Sequence, residues 1–209
     1  MEAEPTVYVV DSDSGARASL RVLMKSLRLS TASFASAQEF LASYRASQSG
    51  CLLLDIRLPG MSGLELQDEL NRRGYVIPLI FVTGYGDVPM AVEAMRRGAG
   101  DFIQKPFRDQ DLIDCVQKAL ARDHDTREGL QEYSRICTRL ASLTPREHDV
   151  LELLIKGQAN KVMARELALS QRTVEIHRAR VMNKMEAGSL AQLIRMVVAI
   201  ESRVIPAAP

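Results

Sequence analysis

The sequence predicts an α/β domain built on a doubly wound, five-stranded parallel sheet, followed by an all-α unit of four helices. Within the first 121 residues, short apolar runs alternate five times with segments whose apolar residues recur at helical spacing. Apolar strands with helices between them are typical of a parallel sheet that is covered on both faces. Beyond residue 140 the apolar residues recur at helical spacing only, which favours a separate helical unit.

Each predicted strand of the first domain is followed by a predicted helix. The strands are expected at residues 6–10, 33–35, 51–54, 77–82 and 101–104. The helices are expected at residues 17–27, 37–44, 64–71, 88–97 and from 109 to about 122. We therefore assign residues 6–121 to the α/β domain.

The stretch after this domain predicts a charged helical linker over residues 122–139. Apolar residues recur there at helical spacing, but Gly129 interrupts the pattern. The sequence therefore leaves open whether the linker continues the preceding helix.

The helical unit, assigned to residues 140–209, has clear helix starts. Thr144-Pro145-Arg146-Glu147 has the pattern of a capping box with proline at the first helical position. Further helices are expected to begin at Asn160 and at Ser170. A second capping-box pattern, Ser189-Leu190-Ala191-Gln192, predicts the start of the fourth helix.

Composition argues against membrane and disulfide-rich secreted proteins. No run of about 18 apolar residues is present, and the acidic start of the chain does not resemble a signal peptide. Cys51, Cys115 and Cys137 follow no metal or disulfide spacing. The apolar surroundings of Cys51 and Cys115 predict buried, reduced thiols. We therefore expect a cytoplasmic protein without a membrane partner.

The net charge of +1 is divided unevenly along the chain. Residues up to Asp123 include 14 basic and 16 acidic side chains, and the remainder includes 13 basic and 10 acidic ones. This weakly basic second part agrees with nucleic-acid binding but does not establish it.

Four polar residues follow or end predicted strands: Asp11, Asp55, Thr83 and Lys105. Taken singly, each has an ordinary interpretation as a turn or loop residue. Ligands of parallel α/β sheets bind at the carboxyl ends of the strands, so these side chains are expected to converge. Two carboxylates there suit a magnesium ion, which prefers hard oxygen ligands. With such an ion, Asp55 would accept a phosphoryl group, while Lys105 and Thr83 would hold its oxygens.

Residues 6–121 resemble a CheY-like receiver domain. The resemblance lies in Asp11, in the phosphoacceptor segment from Leu54 to Gly63, and in the segments Val82-Thr83-Gly84 and Phe102-Ile103-Gln104-Lys105-Pro106-Phe107. The run from Thr83 to Met95 is particularly similar to the FixJ subfamily of response regulators.

The receiver resemblance implies a set of roles for these residues. A partner histidine kinase would phosphorylate Asp55, and Thr83 and Phe102 would form a switch. Magnesium would be bound by Asp11, Asp55 and the backbone carbonyl of Arg57. The resemblance also implies a cis peptide bond between Lys105 and Pro106, which is plausible because the second residue is proline.

The sequence departs from the receiver pattern at one position of the pocket. The family usually has two adjacent acids, but here the pair is Asp11-Ser12. The loss of one charge predicts weak magnesium binding. Asp13 could replace the missing acid, although a role as helix cap is the more natural expectation.

The third predicted helix of the second unit has two different faces. Val174, Val181 and Met185 form an apolar face that is expected to pack inward. The opposite face mixes long polar with small apolar residues and suits the major groove of DNA, or else a solvated helix surface. The DNA-contacting residues expected on and around it are Lys161, Arg172, Thr173, Glu175, Ile176, Arg178, Ala179, Arg180, Asn183 and Lys184.

Residues 137–202 resemble a LuxR-type helix-turn-helix. The resemblance rests on Leu143-Thr144-Pro145-Arg146-Glu147, Gly157, Asn160-Lys161 and the run from Thr173 to Arg178. It implies homodimers on pseudo-palindromic promoter DNA, with RNA polymerase as a further partner. It also implies that His177 packs against the scaffold.

Three functional hypotheses follow from the sequence. The first is a transcriptional regulator that is controlled by phosphorylation of Asp55. The second is a DNA-binding regulator largely independent of phosphorylation, which Ser12 favours. The third is a phosphatase that forms an aspartyl phosphate, but the residue two positions after Asp55 is Arg57 and not a general acid. We therefore expect a regulator and not an enzyme.

Overall fold

The computed structural model describes residues 4–84 and 88–204, the last four by their backbone alone. The chain forms two compact units, Met1–Arg127 and Glu128–Pro209. The resemblance to the FixJ subfamily includes Tyr85, Gly86 and Asp87, which lie outside the described residues.

The first unit contains a five-stranded sheet with the strand order β2-β1-β3-β4-β5. Every pairing in it is parallel, as the sequence predicts. The strands are β1 (Thr6–Val10), β2 (Ser30–Phe34), β3 (Gly50–Leu54), β4 (Leu79–Thr83) and β5 (Asp101–Gln104). Strand β4 begins later than predicted because Pro78 has no backbone N–H to donate to the ladder.

Helices cover both faces of this sheet. They are α1 (Ser14–Ser26), α2 (Ala37–Ser43), α3 (Gly63–Arg72), α4 (Val88–Arg96) and α5 (Asp109–Ala141). One core includes Phe40, Leu66 and Ala94, from α2, α3 and α4. The other includes Met24 and Leu112, from α1 and α5. The prediction of a doubly wound sheet is confirmed.

The two predicted buried thiols have different surroundings. Cys51 is fully buried in β3, and burial raises its pKa to about 12. Cys115 is only half-buried, so the prediction is wrong for this residue. Its Sγ donates a hydrogen bond to Asp101 Oδ2 at 3.0 Å, and burial together with this carboxylate raises its pKa to about 12. Neither thiol is in its reactive thiolate form near neutral pH.

Helix α5 is 33 residues long and includes the whole predicted linker. The helix runs through Gly129, the position at which the sequence pattern is interrupted. Leu112 lies in the core of the first unit, and Ile136 lies in the core of the second. Burial of apolar residues on both sides of Gly129 offsets the low helix propensity of glycine.

The second unit contains four further helices among the described residues, as predicted. They are α6 (Pro145–Ile155), α7 (Asn160–Glu166), α8 (Gln171–Lys184) and α9 (Leu190–Val204). Val150, Met163, Val174 and Val181 are completely buried in their common core. Among the described residues, no helix is long and apolar enough to cross a membrane.

One of the two predicted capping boxes is confirmed, and the other is displaced. Thr144 accepts a hydrogen bond from the backbone of Glu147, and the Glu147 side chain accepts one from the backbone of Thr144. Ser189 accepts from the backbone of Gln192, but the Gln192 side chain accepts from the backbone of Gly188 at 2.9 Å. The reciprocal bond of the second motif is therefore made one residue earlier than predicted.

Glu147 also forms an ion pair inside the second unit. Its carboxylate is almost completely buried and lies 2.6 Å from Nζ of Lys184. The hydrogen bond from Lys184, together with that from the Thr144 backbone, lowers the pKa of Glu147 to about 2. The carboxylate thus joins the start of α6 to the end of α8.

The Glu147→Gln substitution is expected to destabilise the second unit by about 1.5–3 kcal/mol at neutral pH, the usual contribution of a hydrogen bond to a charged group. Because the folded-state pKa is depressed, the contribution of Glu147 is complete above its ordinary pKa. It is lost as the pH falls from about 4.5 towards 2. Urea unfolding of both proteins between pH 7 and pH 3 measures this, and the difference is expected to shrink with acidity. The control is Glu152→Gln, an exposed change on the same helix; a difference that grows with acidity would contradict the assignment.

Candidate functional site

The carboxyl ends of the strands bring the predicted acids together. Strands β1 and β3 are adjacent, and Val10 pairs with Leu54 at their ends. Asp11 and Asp55 are the next residues of each chain segment, and the backbone N–H of Asp55 donates to the carbonyl of Val10 at 2.9 Å. The two carboxylates therefore belong to neighbouring positions at one edge of the sheet.

Lys105 closes this edge from the other side. Its backbone N–H donates to the carbonyl of Thr83 at 2.8 Å, which places it beside the end of β4. Its Nζ lies 2.6 Å from Oδ2 of Asp11. In the strand order, β3 and β4 lie between β1 and β5. The lysine side chain thus spans the strand ends that carry Asp55 and Thr83.

One side-chain oxygen of Asp55 stands apart from the hydrogen bonds of the pocket. Its Oδ1 is buried, and no hydrogen-bond partner for it is found among the described residues. A buried carboxylate oxygen without a partner is uncommon and indicates a functional role or a missing ligand. Thr83 is completely buried at the end of β4.

The start of helix α3 packs closely against the acceptor segment. A Cβ atom at Gly63 would lie 2.3 Å from the backbone oxygen of Asp55, so only glycine fits at this position. The N–H of Gly63 donates to the carbonyl of Ile56 at 2.8 Å. The backbone around Asp55 is therefore held on both sides, by β1 and by α3.

The oxygen atoms proposed for a metal are partly engaged in hydrogen bonds. Asp11 Oδ1 accepts from the backbone of Asp13 at 2.8 Å, and Ser12 Oγ donates to the carbonyl of Arg57 at 3.4 Å. Asp13 caps α1, as expected, by accepting from the backbone of Gly15. Within residues 4–84 and 88–204, no group of three or more His, Cys, Asp or Glu side chains is arranged to hold a metal.

The oxygen donors nevertheless fit magnesium in chemical type. Two carboxylates, a backbone carbonyl and a hydroxyl are hard oxygen ligands, and magnesium commonly uses one or two carboxylates and keeps several waters. Within the described ranges, Oδ1 of Asp55 accepts no hydrogen bond that would compete with a metal ion. The pocket has one carboxylate fewer than the receiver pattern, because Ser12 lies at the position of the second acid.

Three further features surround the pocket. Arg17 donates from its guanidinium to the backbone carbonyl of Asp11 at 2.6 Å, a contact that the sequence pattern did not reveal. The Lys105–Pro106 bond is cis, as the resemblance implies. Phe102 is half-buried, and its ring centre lies 6.2 Å from that of Phe81 in the neighbouring strand.

Helix α8 presents the two faces that the sequence predicts. Val174, Val181 and Met185 are completely buried. The residues of the opposite face are all exposed: Arg172, Glu175, Ile176, Ala179 and Asn183. Lys161 and Arg180 are also exposed, whereas Thr173 is half-buried and packs beside the helix cap Ser170. A polar and partly apolar exposed helix face is thus present.

Two of the predicted phosphate contacts are engaged within the unit. Lys184 donates to Glu147 and to the carbonyl of Ser142, which argues against its predicted contact with DNA. Arg178 is half-buried and donates to the Asn160 side chain, so it links α7 to α8. His177 is half-buried with a buried Nδ1, in agreement with packing against the scaffold.

The geometry defines a class of protein: a receiver-type α/β unit, followed in the chain by a helix-turn-helix unit. The family described as "Response regulator receiver domain" matches residues 7–117, and that described as "Bacterial regulatory proteins, luxR family" matches residues 141–197. The chain belongs to the response regulators of two-component systems that carry a LuxR-type DNA-binding domain and regulate transcription. A histidine kinase and DNA are the partners that this combination implies.

Relatives resemble the chain over nearly its whole length. Nodulation protein W of Bradyrhizobium diazoefficiens is 48% identical over 91% of this chain and 84% of its own. The transcriptional regulatory protein FixJ of Azorhizobium caulinodans is 47% identical over 91% of this chain and 90% of its own. The solved structure of the response regulator StyR has a TM-score of 0.87 at 42% identity, and covers 94% of this chain and 99% of its own.

Proposed function

We propose that Asp55 accepts a phosphoryl group from a partner histidine kinase, and that this modification controls promoter binding by the second unit. The observation that carries the proposal is the buried Oδ1 of Asp55, for which residues 4–84 and 88–204 provide no hydrogen-bond partner. It lies at the sheet edge that the Lys105–Asp11 ion pair spans. A carboxylate whose backbone is held in place is suited to attack an electrophilic phosphorus.

Each residue of the pocket has a distinct role in this reaction. A carboxylate oxygen of Asp55 forms the new bond to phosphorus, while the bond between phosphorus and the nitrogen of the kinase histidine breaks. Lys105 provides a positive charge for a phosphoryl oxygen, and Thr83 provides a hydroxyl donor for another. Arg17 holds the backbone of Asp11 and thereby keeps this acid in position.

Magnesium is the proposed cofactor of this step. Asp11, Asp55 and the backbone carbonyl of Arg57 would hold it, and it would neutralise charge between the acceptor carboxylate and the phosphoryl group. The hydroxyl of Ser12 already donates to the Arg57 carbonyl, and it brings no negative charge. We therefore propose that the ion binds weakly.

The proposed response is a change in the receiver surface. Attraction of Thr83 towards the phosphoryl group would leave space for the ring of Phe102, which packs partly buried against the core. Such a local charge event biases an element with two positions. The altered surface around α4 and β5 would then favour homodimers, which bind promoter DNA and contact RNA polymerase.

The exposed face of α8 is the proposed reading surface for DNA. Glu175, Ile176, Ala179 and Asn183 would face base edges in the major groove. Arg172, Arg180 and Lys161 are exposed and would meet phosphates, whereas Lys184 is left out because of its ion pair with Glu147. Thr173 and Arg178 remain candidates at the margin of this face.

Phosphorylation is expected to strengthen promoter binding at least tenfold. The test compares footprinting and sedimentation of the protein with and without magnesium and phosphoramidate. Asp55→Asn is the matched variant, because it keeps the shape of the side chain and cannot form the phosphate. Wild-type protein that is phosphorylated but binds DNA equally in both states would favour the rival function, a regulator independent of phosphorylation. Ser12 is the observation that supports this rival.

The Ser12→Asp substitution is expected to raise the affinity for magnesium by at least tenfold, because it restores a carboxylate beside the acceptor. Metal binding is measured by calorimetry on the unphosphorylated protein, so the result does not depend on phosphoryl transfer. Ser14→Asp, at an exposed position on the first turn of α1, is the control and is expected to have little effect. An unchanged affinity in Ser12→Asp would show that this position does not face the metal.

Arg180→Ala is expected to weaken binding to all DNA sequences about equally and to lower the salt dependence of binding by about one unit of slope, as for the loss of one phosphate contact. Asn183→Ala is expected instead to alter the preference among sequences. Binding isotherms at several salt concentrations separate the two effects. Arg195→Ala, an exposed change on α9, is the charge-matched control. An equal loss of DNA affinity in Arg180→Ala and Arg195→Ala would contradict the proposal that α8 is the helix that contacts DNA.

A further inference from the structure

We propose that Asp123 and Arg127 form a clamp that fixes helix α5 to the receiver and is required for the receiver to control the second unit. The inference rests on the proposed function, because it concerns how phosphorylation at Asp55 reaches the DNA-binding unit. No local sequence pattern reveals this pair. It is separate from the phosphorylation pocket, and it contacts the opposite end of strand β3.

Asp123 is a buried acid with four hydrogen bonds. Its side chain is almost completely inaccessible to solvent. Its Oδ2 accepts from Oγ of Ser49 at 2.8 Å and from the backbone N–H of Gly50 at 2.9 Å. Both of its oxygens accept from Nε of Arg127 at 2.9 Å. The acid therefore joins α5 to the residues at which β3 begins.

Arg127 completes the attachment one helical turn later. Besides its contact with Asp123, its guanidinium donates to the carbonyl of Ala46 at 2.9 Å and to that of Gln48 at 2.5 Å. All three nitrogen atoms of the guanidinium thus donate hydrogen bonds, which the planar head of arginine allows and the single ammonium of lysine does not. The last receiver turn of α5 is held to the segment between α2 and β3.

Strand β3 connects this clamp with the phosphoacceptor. Gly50, which donates to Asp123, is the first residue of β3, and Asp55 follows its last residue. All five residues of the strand are buried. Gly50 also fits tightly, since a Cβ there would lie 1.8 Å from the carbonyl oxygen of Thr6. A short, rigid strand thus has the acceptor at one end and the clamp at the other.

Helix α5 belongs to both units of the chain. Leu112, Val116 and Ala119 lie in the core of the receiver, and Ile136 lies in the core of the second unit. Arg127 of the clamp is the last residue of the first unit, and the second unit begins at Glu128. Gly129 follows two residues later, and glycine lowers helix stability by about 1 kcal/mol relative to alanine. The clamp therefore fixes α5 two residues before Gly129, its residue of lowest intrinsic helix propensity.

A purely structural role does not explain this choice of residues well. A buried ion pair stabilises a fold little compared with apolar residues of similar size, because both charges must be removed from water. The pair does provide several directional hydrogen bonds, which fix the rotation of α5 about its axis and its position along the sheet. We infer that the main effect of the clamp is to fix the position of α5 on the receiver, and that its contribution to the stability of the fold is secondary.

The test measures phosphoryl acceptance and DNA binding separately in Arg127→Ala and Asp123→Asn. We expect both variants to accept phosphoryl groups from phosphoramidate within twofold of the wild-type rate. The ratio of DNA affinities with and without phosphorylation is expected to fall by at least tenfold, on a fragment selected by wild-type protein from random sequences. Arg122→Ala, an exposed change on the same helix, is expected to behave as wild type.

Amide hydrogen exchange reports whether the clamp itself is broken. Residues 123–131 are expected to exchange at least tenfold faster in Arg127→Ala than in the wild type or Arg122→Ala. If exchange accelerates but the affinity ratio is unchanged, the proposal is overturned. Should Arg127→Ala fail to fold, Arg127→Lys replaces it, because it keeps the charge and cannot make all three contacts.

The two proposals fail in different ways. Wild-type protein that takes up no phosphoryl group would refute the proposed function. The clamp would then be judged by hydrogen exchange alone, and equal exchange of residues 123–131 in wild type, Arg127→Ala and Arg122→Ala would overturn it. Loss of phosphoryl acceptance in the clamp variants, with exchange of α5 unaltered, would also overturn it, since the cluster would then act on the pocket and not on the helix.

Discussion

The ion pair between Lys105 and Asp11 depends on the parallel alignment of the whole sheet. Because all five strands run in the same direction, their carboxyl ends lie at one edge. Lys105 follows β5 and Asp11 follows β1, yet their charged atoms are 2.6 Å apart. That contact requires the two intervening strands to end at a matching height. The positions of Asp55 and Thr83 follow from the same constraint.

The ion pair also sets the electrostatics of the pocket. Asp11 is almost completely buried, and its two oxygens accept from Lys105 and from the backbone of Asp13. Asp55 differs, because one of its oxygens is buried without a partner among the described residues. The two neighbouring carboxylates are thus in different environments: Asp11 is ion-paired with Lys105, and Asp55 has a side-chain oxygen without a partner in the described part of the chain. Such a difference in surroundings supports the separate roles proposed for the two acids.

Most strands and helices of the first unit can be predicted from the sequence. Alternating apolar runs and helical spacing are determined by burial, and burial is a local property of each segment. Segment 51–54 is continuously apolar, as expected for a central strand of a parallel sheet that is covered on both faces. The ends of the elements are harder to predict. Strand β4, for example, begins only after Pro78, which has no backbone N–H to donate. The polar ends of the strands predicted the pocket because strand direction alone brings them together.

Contacts that depend on side-chain reach could not be predicted in the same way. Lys184 has the charge and position of a phosphate contact, but its ammonium reaches Glu147 on another helix. Cys115 stands in an apolar segment, but it lies close enough to Asp101 to donate a hydrogen bond. In both cases the character of the residue can be read from the sequence. Its partner cannot, because the partner lies on another element and no local pattern shows that the two elements approach each other.

Helix α5 contributes apolar residues to the cores of both compact units. A helix of this length needs apolar burial along its course, since isolated helical turns are only marginally stable in water. Leu112 and Val116 provide such burial in the receiver, and Ile136 provides it in the second unit. The turns between them carry mainly polar side chains and include Gly129. Continuity of the helix there depends on the fixed turns on either side. The hydrogen bonds of Arg127 hold the helix to the receiver two residues before this glycine, where the apolar core of the receiver has already ended.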